Sequence, residues 1–361
     1  MNILHVETGR HAYGGPAQVE LLMADLCRRG ERNILLCCRG AAIAANQDAA
    51  VVLDKPIAGD LDVRLAFWVW QAVRRYGIDV VHIHSRRGAD VWGGIGARLA
   101  ATPAIVTRRV DNPEWATLAR WKYALYDRVV VISSAVEAEI HRVGIGSARS
   151  LRIPDAVDAT TFRARSHNDT VRAELGVPPG ALCIGMVAQF IERKGHRELI
   201  AALSTVVQSR PDVCVVLCGQ GPLRPAIERA VDEAGLASWV SFAGFREDMS
   251  CVMPAFDMLV HPARREGLGV VLLQAGACGV PVVAARAGGI VDVVLDGETG
   301  LLVMPGDSAA LAEAITTLGN DRVRRVRMGE KARARVAEVF EPQQVGERYV
   351  ALYRQLTSGT A

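Results

Sequence analysis

The stretch His261–Gly289, HPARREGLGVVLLQAGACGVPVVAARAGG, carries no charge between Glu266 and Arg286. An uncharged interval of that length must either cross a membrane or lie inside a folded core. Gly267, Gly269, Gly276, Gly279 and Pro281 interrupt it too often for a lipid-exposed helix, whose backbone groups find no other partner in hydrocarbon. Read as buried chain, it parses into a turn at Glu266–Gly269, a helix over Val270–Cys278, a turn at Gly279–Val280 and a strand over Pro281–Ala285. A second Gly-rich turn, Ala287–Ile290, then opens another helix. Two helix N-termini would so meet beyond the ends of the strands, where open parallel sheets bind ligands and unpaired N–H groups favour anions.

The chain has 361 residues, enough for two cores. Its 50% hydrophobic and 22% charged content is that of an ordinary globular protein, and the net charge of +3 does not demand a nucleic acid partner. Nearly all the positive charge is arginine, which suits bidentate recognition of phosphate, although codon bias in a GC-rich genome accounts for most of the excess. The cysteines lack metal-ligand spacing and read as small buried hydrophobes in a reducing cytosol. The opening MNILHVET is an apolar strand without a secretory pattern, which points to the cytoplasm.

In order, the first half predicts a strand at Asn2–Val6, a loop at Glu7–Gly15 punctuated by Gly9, Gly14 and Gly15, and a helix over Gln18–Arg29. This is how a Rossmann half begins, and a glycine pair lets backbone approach a phosphate. Strands follow at Arg32–Cys38, Ala49–Leu53, Val80–His84, Ala104–Thr107 and Val129–Ile132. The helix Leu61–Tyr76 contains Phe67, Trp68 and Trp70, read as core, and His82 is likewise read as a core histidine. His84, Ser85, Arg86 and Arg87 cluster at the carboxyl end of one strand, and Arg108, Arg109 and Asp111 at the end of the next, well placed for an anionic acceptor. Arg163–Pro179 reads as a polar linker.

The second half repeats the plan, with strands at Leu182–Val187, Val213–Cys218, Val240–Ala243, Ala255–His261 and Thr299–Val303. Its first strand runs into the basic turn AQFIERKGH, and Gly219–Pro222 is the turn after the second. Arg322–Arg335 reads as a solvated basic helix, and Gln343–Leu356 as a final helix with apolar spacing at Val345, Tyr349, Leu352 and Tyr353.

Taken together, the Glu266 turn, the uncharged helix, the GG turn and the Lys194–Gly195 loop resemble the donor-site signature of retaining, nucleotide-sugar-dependent glycosyltransferases of family 4. The resemblance implies an α/β chain of GT-B architecture, with two Rossmann-like domains facing across a cleft. Residues 1–160, joined by a C-terminal helix in 341–361 that crosses back, would bind acceptor, and residues 161–340 would bind donor. It implies that Glu266 holds the donor sugar hydroxyls and that Arg193 and Lys194 stabilise the departing diphosphate. Donor contacts would come from Gly14, Gly15, Gln189, Gly219, Phe245, Arg246, Gly267, Leu268, Gly269 and Gln274, the last binding ribose, with Gly288 and Gly289 presenting amides to phosphate. His84, Arg86, Arg109 and Asp111 would face the acceptor.

The chain departs from the family in three places. The family carries a Glu, seven residues and a second Glu, whereas Gln274 stands in the second position; Gln189 replaces an arginine; and arginines with Asp111 stand where a first-domain histidine is usual. The co-substrate would be a nucleotide diphosphate sugar, with no cofactor and no metal, since no acidic metal-binding pair is evident. The acceptor would be a glycan or lipid-linked precursor, with lipopolysaccharide core the first choice. Arg28, Arg29, Arg74, Arg75, Arg86, Arg87, Arg108 and Arg109 suggest peripheral contact with the anionic inner face of the cytoplasmic membrane. Gln274 keeps a catalytically silent nucleotide-sugar-binding protein open as a rival. A nicotinamide dehydrogenase fits less, because the first turn lacks GxGxxG and the second strand ends in Cys37, Cys38 and Arg39 rather than an acid.

Overall fold

A computed structural model describes residues 1–10, 14–45, 48–86, 88–165 and 169–358. The chain divides into two compact units, one of residues 1–156 with 342–361 and one of residues 157–341.

The first unit is built on a parallel sheet of β1 (Asn2–Glu7), β2 (Arg32–Cys38), β3 (Ala50–Lys55), β4 (Val80–Ile83), β5 (Ala104–Arg108), β6 (Arg128–Val131) and β7 (Ser150–Arg152), in the order β3-β2-β1-β4-β5-β6-β7. These strands are nearly continuous apolar runs because helices cover both faces, so no alternation with polar residues is needed. The second unit repeats the order with β8 (Leu182–Val187), β9 (Val213–Cys218), β10 (Val240–Gly244), β11 (Met258–His261), β12 (Val282–Ala285) and β13 (Gly300–Val303), arranged β10-β9-β8-β11-β12-β13. In each sheet the connections change direction at one point, between β1 and β4 and between β8 and β11. The carboxyl ends of those strand pairs are therefore where each unit can hold a ligand.

The helix Pro342–Ser358 belongs to the first unit. Val345, Tyr349, Leu352 and Tyr353, the expected apolar positions, are all buried against Ile3, Leu22, Val80 and Ile105. A polar layer runs beneath it. Asn33 Nδ2 donates to the carbonyls of Met23 and Ala49 at 2.9 and 3.0 Å, which turns its Oδ1 toward His5 Nε2 at 3.1 Å. His5 is thus protonated on Nε2, and its bare Nδ1 accepts from His84 Nε2 at 3.0 Å. His82 bridges the Tyr353 hydroxyl and Thr107 Oγ1, each at 2.7 Å. His82 is core, as expected.

Four expectations are corrected. Gly14 and Gly15 are not in a loop but form the first turn of the helix Gly14–Arg28, where glycine is tolerated because the first amides have no intrahelical acceptor to lose. The segment read as a linker contains the helix Asp169–Glu174, pinned by Arg172 donating to Ala255 O and Asp257 Oδ2 at 3.0 and 2.8 Å. Phe67 and Trp70 are surface residues: in the helix Arg64–Tyr76 the buried stripe is Leu65, Val69, Ala72 and Val73, and the aromatic groups lie on the opposite side. Cys27 and Cys251 are exposed, whereas the other six cysteines are buried, and all eight are free.

Candidate active site

Glu266 follows β11, and the Arg193–Lys194 turn follows β8, so the direction change of the second sheet brings them together. Lys194 Nζ donates to Glu266 Oε2, and His261 Nε2 lies 2.9 Å from the same oxygen. A carboxylate only accepts, so His261 carries its proton on Nε2 and leaves Nδ1 bare. That Nδ1 is buried and has no partner among the described residues, which a neutral imidazole tolerates better than an unpaired N–H. Burial lowers the His261 pKa, with Lys194 adding to the effect and Glu266 opposing it, so the ring is neutral at pH 7. Burial alone would raise the Glu266 pKa, but the bonds from His261 and the charge of Lys194 outweigh it and hold the carboxyl well below its ordinary value. Glu266 is therefore an anion with one oxygen anchored. Its Oε1 makes no hydrogen bond among the described residues and is open to a hydroxyl donor.

The backbone at Glu266 is held as tightly as the side chain. Gly288 adopts φ +54°, and a Cβ there would collide with the Glu266 carbonyl oxygen, while Gly289 N–H donates to that oxygen at 2.9 Å. The GG turn is consequently a clamp on Glu266. This corrects the expected role of Gly289: its amide is spent inside the protein, and the helix it opens, Ile290–Val293, has a single turn. Gly195 plays a matching part under Lys194, where φ is +80° and a Cβ would strike the Pro262 carbonyl. Gly267 and Leu268 form the turn, with Leu268 buried, and Gly269 at φ +91° starts the helix Val270–Ala277. On that helix Val270, Val271 and Gln274 are the partly open positions and the rest are buried, so Gln274 lies on the open face.

The remaining predicted donor residues are spread around this centre. Arg193 is exposed and donates to the Arg265 carbonyl at 3.1 Å rather than to Glu266. Gln189 is exposed, and Gly219 N–H donates to Gly244 O at 2.7 Å, so its amide is also used internally. Phe245 is exposed, whereas Arg246 is already paired in bidentate fashion with Asp248 at 2.6 and 2.7 Å.

In the first unit His84 is buried with Nδ1 lacking a partner, and Arg109 pairs with Asp155 at 3.0 Å. Arg86 pairs with Glu114 at 3.1 Å, and Asp111 is partly exposed. Glu114 also receives Arg108, Tyr123 and Lys122, and although burial opposes it, these partners pull its pKa down to about 2. The predicted basic patch is thus largely internal ion pairing, and Arg87 lies outside the described residues. Glu7 was not anticipated: buried at the end of β1, it accepts from the Ser85 hydroxyl and from Gly9 N–H. Among the described residues His5, His82 and His84 could offer three ligand atoms to a metal; both His82 nitrogens are bonded to Tyr353 and Thr107, His5 is bonded to Asn33 and His84, and only His84 Nδ1 is without a partner.

Comparison with known proteins places this geometry. Residues 167–335 match the family model Glycosyl transferases group 1, and residues 14–161 match Glycosyltransferase Family 4. The D-inositol 3-phosphate glycosyltransferase of Corynebacterium urealyticum is 32% identical over 311 residues, 78% of this chain and 73% of the relative. The chain belongs to glycosyltransferase family 4. The lipopolysaccharide core biosynthesis glycosyltransferase LpsE of Rhizobium meliloti is 32% identical over 181 residues, 50% of this chain and 52% of LpsE. The crystal structure of HepE from Anabaena in complex with UDP-glucose superposes with a TM-score of 0.84 at 23% identity, covering 98% of this chain and 100% of HepE, and shows the shared GT-B fold. This glycosyltransferase uses a nucleotide-sugar donor, and both its parallel-sheet units are of the Rossmann type.

Proposed function

We propose that this glycosyltransferase moves a hexose from a nucleoside diphosphate sugar to an acceptor hydroxyl with retention of anomeric configuration and without a metal ion. The observation that carries the reading is the ionised Glu266, anchored through one oxygen by Lys194 and His261 with the other oxygen open. Glu266 Oε1 accepts from a sugar hydroxyl and fixes the anomeric carbon in place. Lys194 retains donors beyond the one bonded to Glu266, and with the exposed Arg193 it meets charge as the diphosphate departs. Gln274, on the open face of its helix, holds the ribose. His84, Arg86, Arg109 and Asp111 line the acceptor side.

The acceptor we propose is lipid-linked, within lipopolysaccharide or another surface glycan, and the enzyme works at the inner face of the membrane. The first unit supports this through large apolar side chains with no cover: Trp115 is 86% exposed, Leu118 63% and Trp121 51%, all on or beside the helix Ala116–Tyr123. Tryptophan favours the headgroup region, where its ring is half apolar and half polar. These residues add to the exposed Arg74 and Arg75 as reasons to expect membrane contact. No helix among the described residues is long and apolar enough to cross a membrane.

Thermal stabilisation by UDP-, GDP- and ADP-sugars selects the donor. Transfer from that donor, followed by NMR of the product with EDTA present, then tests the chemistry. Product with the donor's anomeric configuration, formed at an unchanged rate, is expected. Inverted product, or activity abolished by EDTA and restored by magnesium, contradicts the scheme, and release of no nucleoside diphosphate would favour a silent binding protein.

A further inference from the structure

We propose that the second unit holds an anion site for a small phosphorylated molecule, separate from the donor site and lined by arginines of the helix Arg322–Val339. A cavity of about 320 Å³ opens between this helix, the Cys278–Pro281 turn and the segment before β11. That volume is ligand-sized, since small-molecule pockets start at roughly 300 Å³. Arg165, Arg322, Arg325 and Arg333 line it, with Asp257 and Glu330. Four cations therefore face two anions.

Two carboxylates do not balance four arginines. Asp257 accepts from Arg172 and from the Cys183 amide, each at 2.8 Å, and its charge also acts on Arg325. The side chains of Arg322, Arg333 and Glu330 make no hydrogen bond or ion pair among the described residues. Arg165 has only a long contact, 3.8 Å to Cys251 Sγ. Arg325 is fixed in position, its Nη1 donating to the Leu318 and Gly319 carbonyls at 2.6 and 2.7 Å. Burial lowers the Arg325 pKa; the charges of Asp257 and Asp321 oppose it, and the like charges of Arg210 and Arg322 add to it.

The arginines line up because the helix sets them there: positions 322, 325 and 333 fall on one face at helical spacing. The wall is rigid, since a Cβ on Gly329 would collide with the Gly279 carbonyl and the helix is thus seated directly on the turn. Phe256 and Cys278 supply an apolar floor. Guanidinium groups bind phosphate through paired parallel N–H bonds, which makes a phosphate or diphosphate the fitting occupant. The cavity lies at the amino ends of β11 and β12, whereas Glu266 and Lys194 lie beyond carboxyl ends, so the ligand does not react there.

Calorimetric titration of the full chain with inorganic pyrophosphate, at matched ionic strength, tests the assignment. Lys194→Ala should leave a pyrophosphate site intact. Arg322→Gln combined with Arg333→Gln should weaken that site by about tenfold or more, because charge-assisted bidentate contacts are lost. Glu330→Gln should tighten it several-fold, a gain that a merely structural role for this helix does not produce. Melting temperatures establish that the variants fold, and if the double variant does not, Glu330→Gln decides alone. Absence of binding, a single site that vanishes with Lys194→Ala, or a site indifferent to Glu330→Gln overturns the proposal.

Discussion

Gln274 is one of the three places where this chain leaves its family, and it lies on the open face of the helix Val270–Ala277 rather than in the core. A glutamate would offer two charged acceptors to a ribose diol, whereas glutamine offers one neutral acceptor and a donor. Losing charge assistance costs about 1–2 kcal/mol, a factor of roughly 5–30 in affinity. Gln274→Glu should accordingly lower the donor KM by that factor with kcat little changed, as read from initial rates. An unchanged KM with a markedly lower melting temperature would remove ribose binding from its role. The sequence made Glu266, Lys194 and Gln274 legible because each sits in a local pattern of turn and glycine. His261 stood in view at the end of a strand, but its bond to Glu266 depends on a loop geometry that spacing does not reveal. Glu7 and Glu114 were hidden for the same reason, since their partners come from elsewhere in the chain.

At the level of elements, buried strands were the most legible part of the fold. β8 and β9 begin and end where their apolar runs do, because a strand covered on both faces has no polar positions to blur its limits. Helices were read less well wherever the signal was a single residue type. Glycine at Gly14 and Gly15 suggested a loop, and the aromatic residues of Arg64–Tyr76 suggested core, although the inner stripe of Leu65, Val69 and Ala72 was already sufficient to bury that helix. The GG turn was recognised as important, but the Gly289 amide serves the Glu266 carbonyl rather than a phosphate. As a clamp on the Glu266 backbone it admits no side chain at Gly288, where both φ and the Glu266 carbonyl forbid a Cβ. Gly288→Ala should destabilise the second unit by about 1–3 kcal/mol and depress turnover with it, whereas the same change at Gly297, which has open space, should cost only the strain of its φ. Thermal melts and rates on the pair check this, and equal activity of the Gly288→Ala and wild-type proteins would rule out the clamp. The uncovered face of the helix Ala116–Tyr123 makes a further demand: Trp115→Ser with Trp121→Ser should reduce flotation with liposomes while leaving the melting temperature intact. Flotation indifferent to the pair would remove that helix from the membrane account.

The whole molecule should respond to acid in a defined direction. His5 and His196 are lowered to about 4, and His82, His84 and His261 are also lowered, in every case first by burial. The unfolded chain binds these protons near pH 6.5, before the folded chain does, so stability is full above that value and falls as pH drops from about 6.5 toward 4. Glu114, held at about 2, extends the loss below pH 4.5. Melting temperature should therefore decline steadily from neutral to acid pH, and a plateau between pH 6.5 and 4 would mean that these histidines are not buried as described. Catalysis makes the sharper demand, because the departing diphosphate must be met by charge at Lys194, which belongs to the basic turn after β8 and donates to Glu266. The kcat of Lys194→Ala, measured at saturating donor and acceptor, addresses this directly. Removing one charge-stabilising donor should lower kcat by about 10²–10³ while the protein stays folded, whereas a rate within a few-fold of wild type would contradict the assignment of the active site.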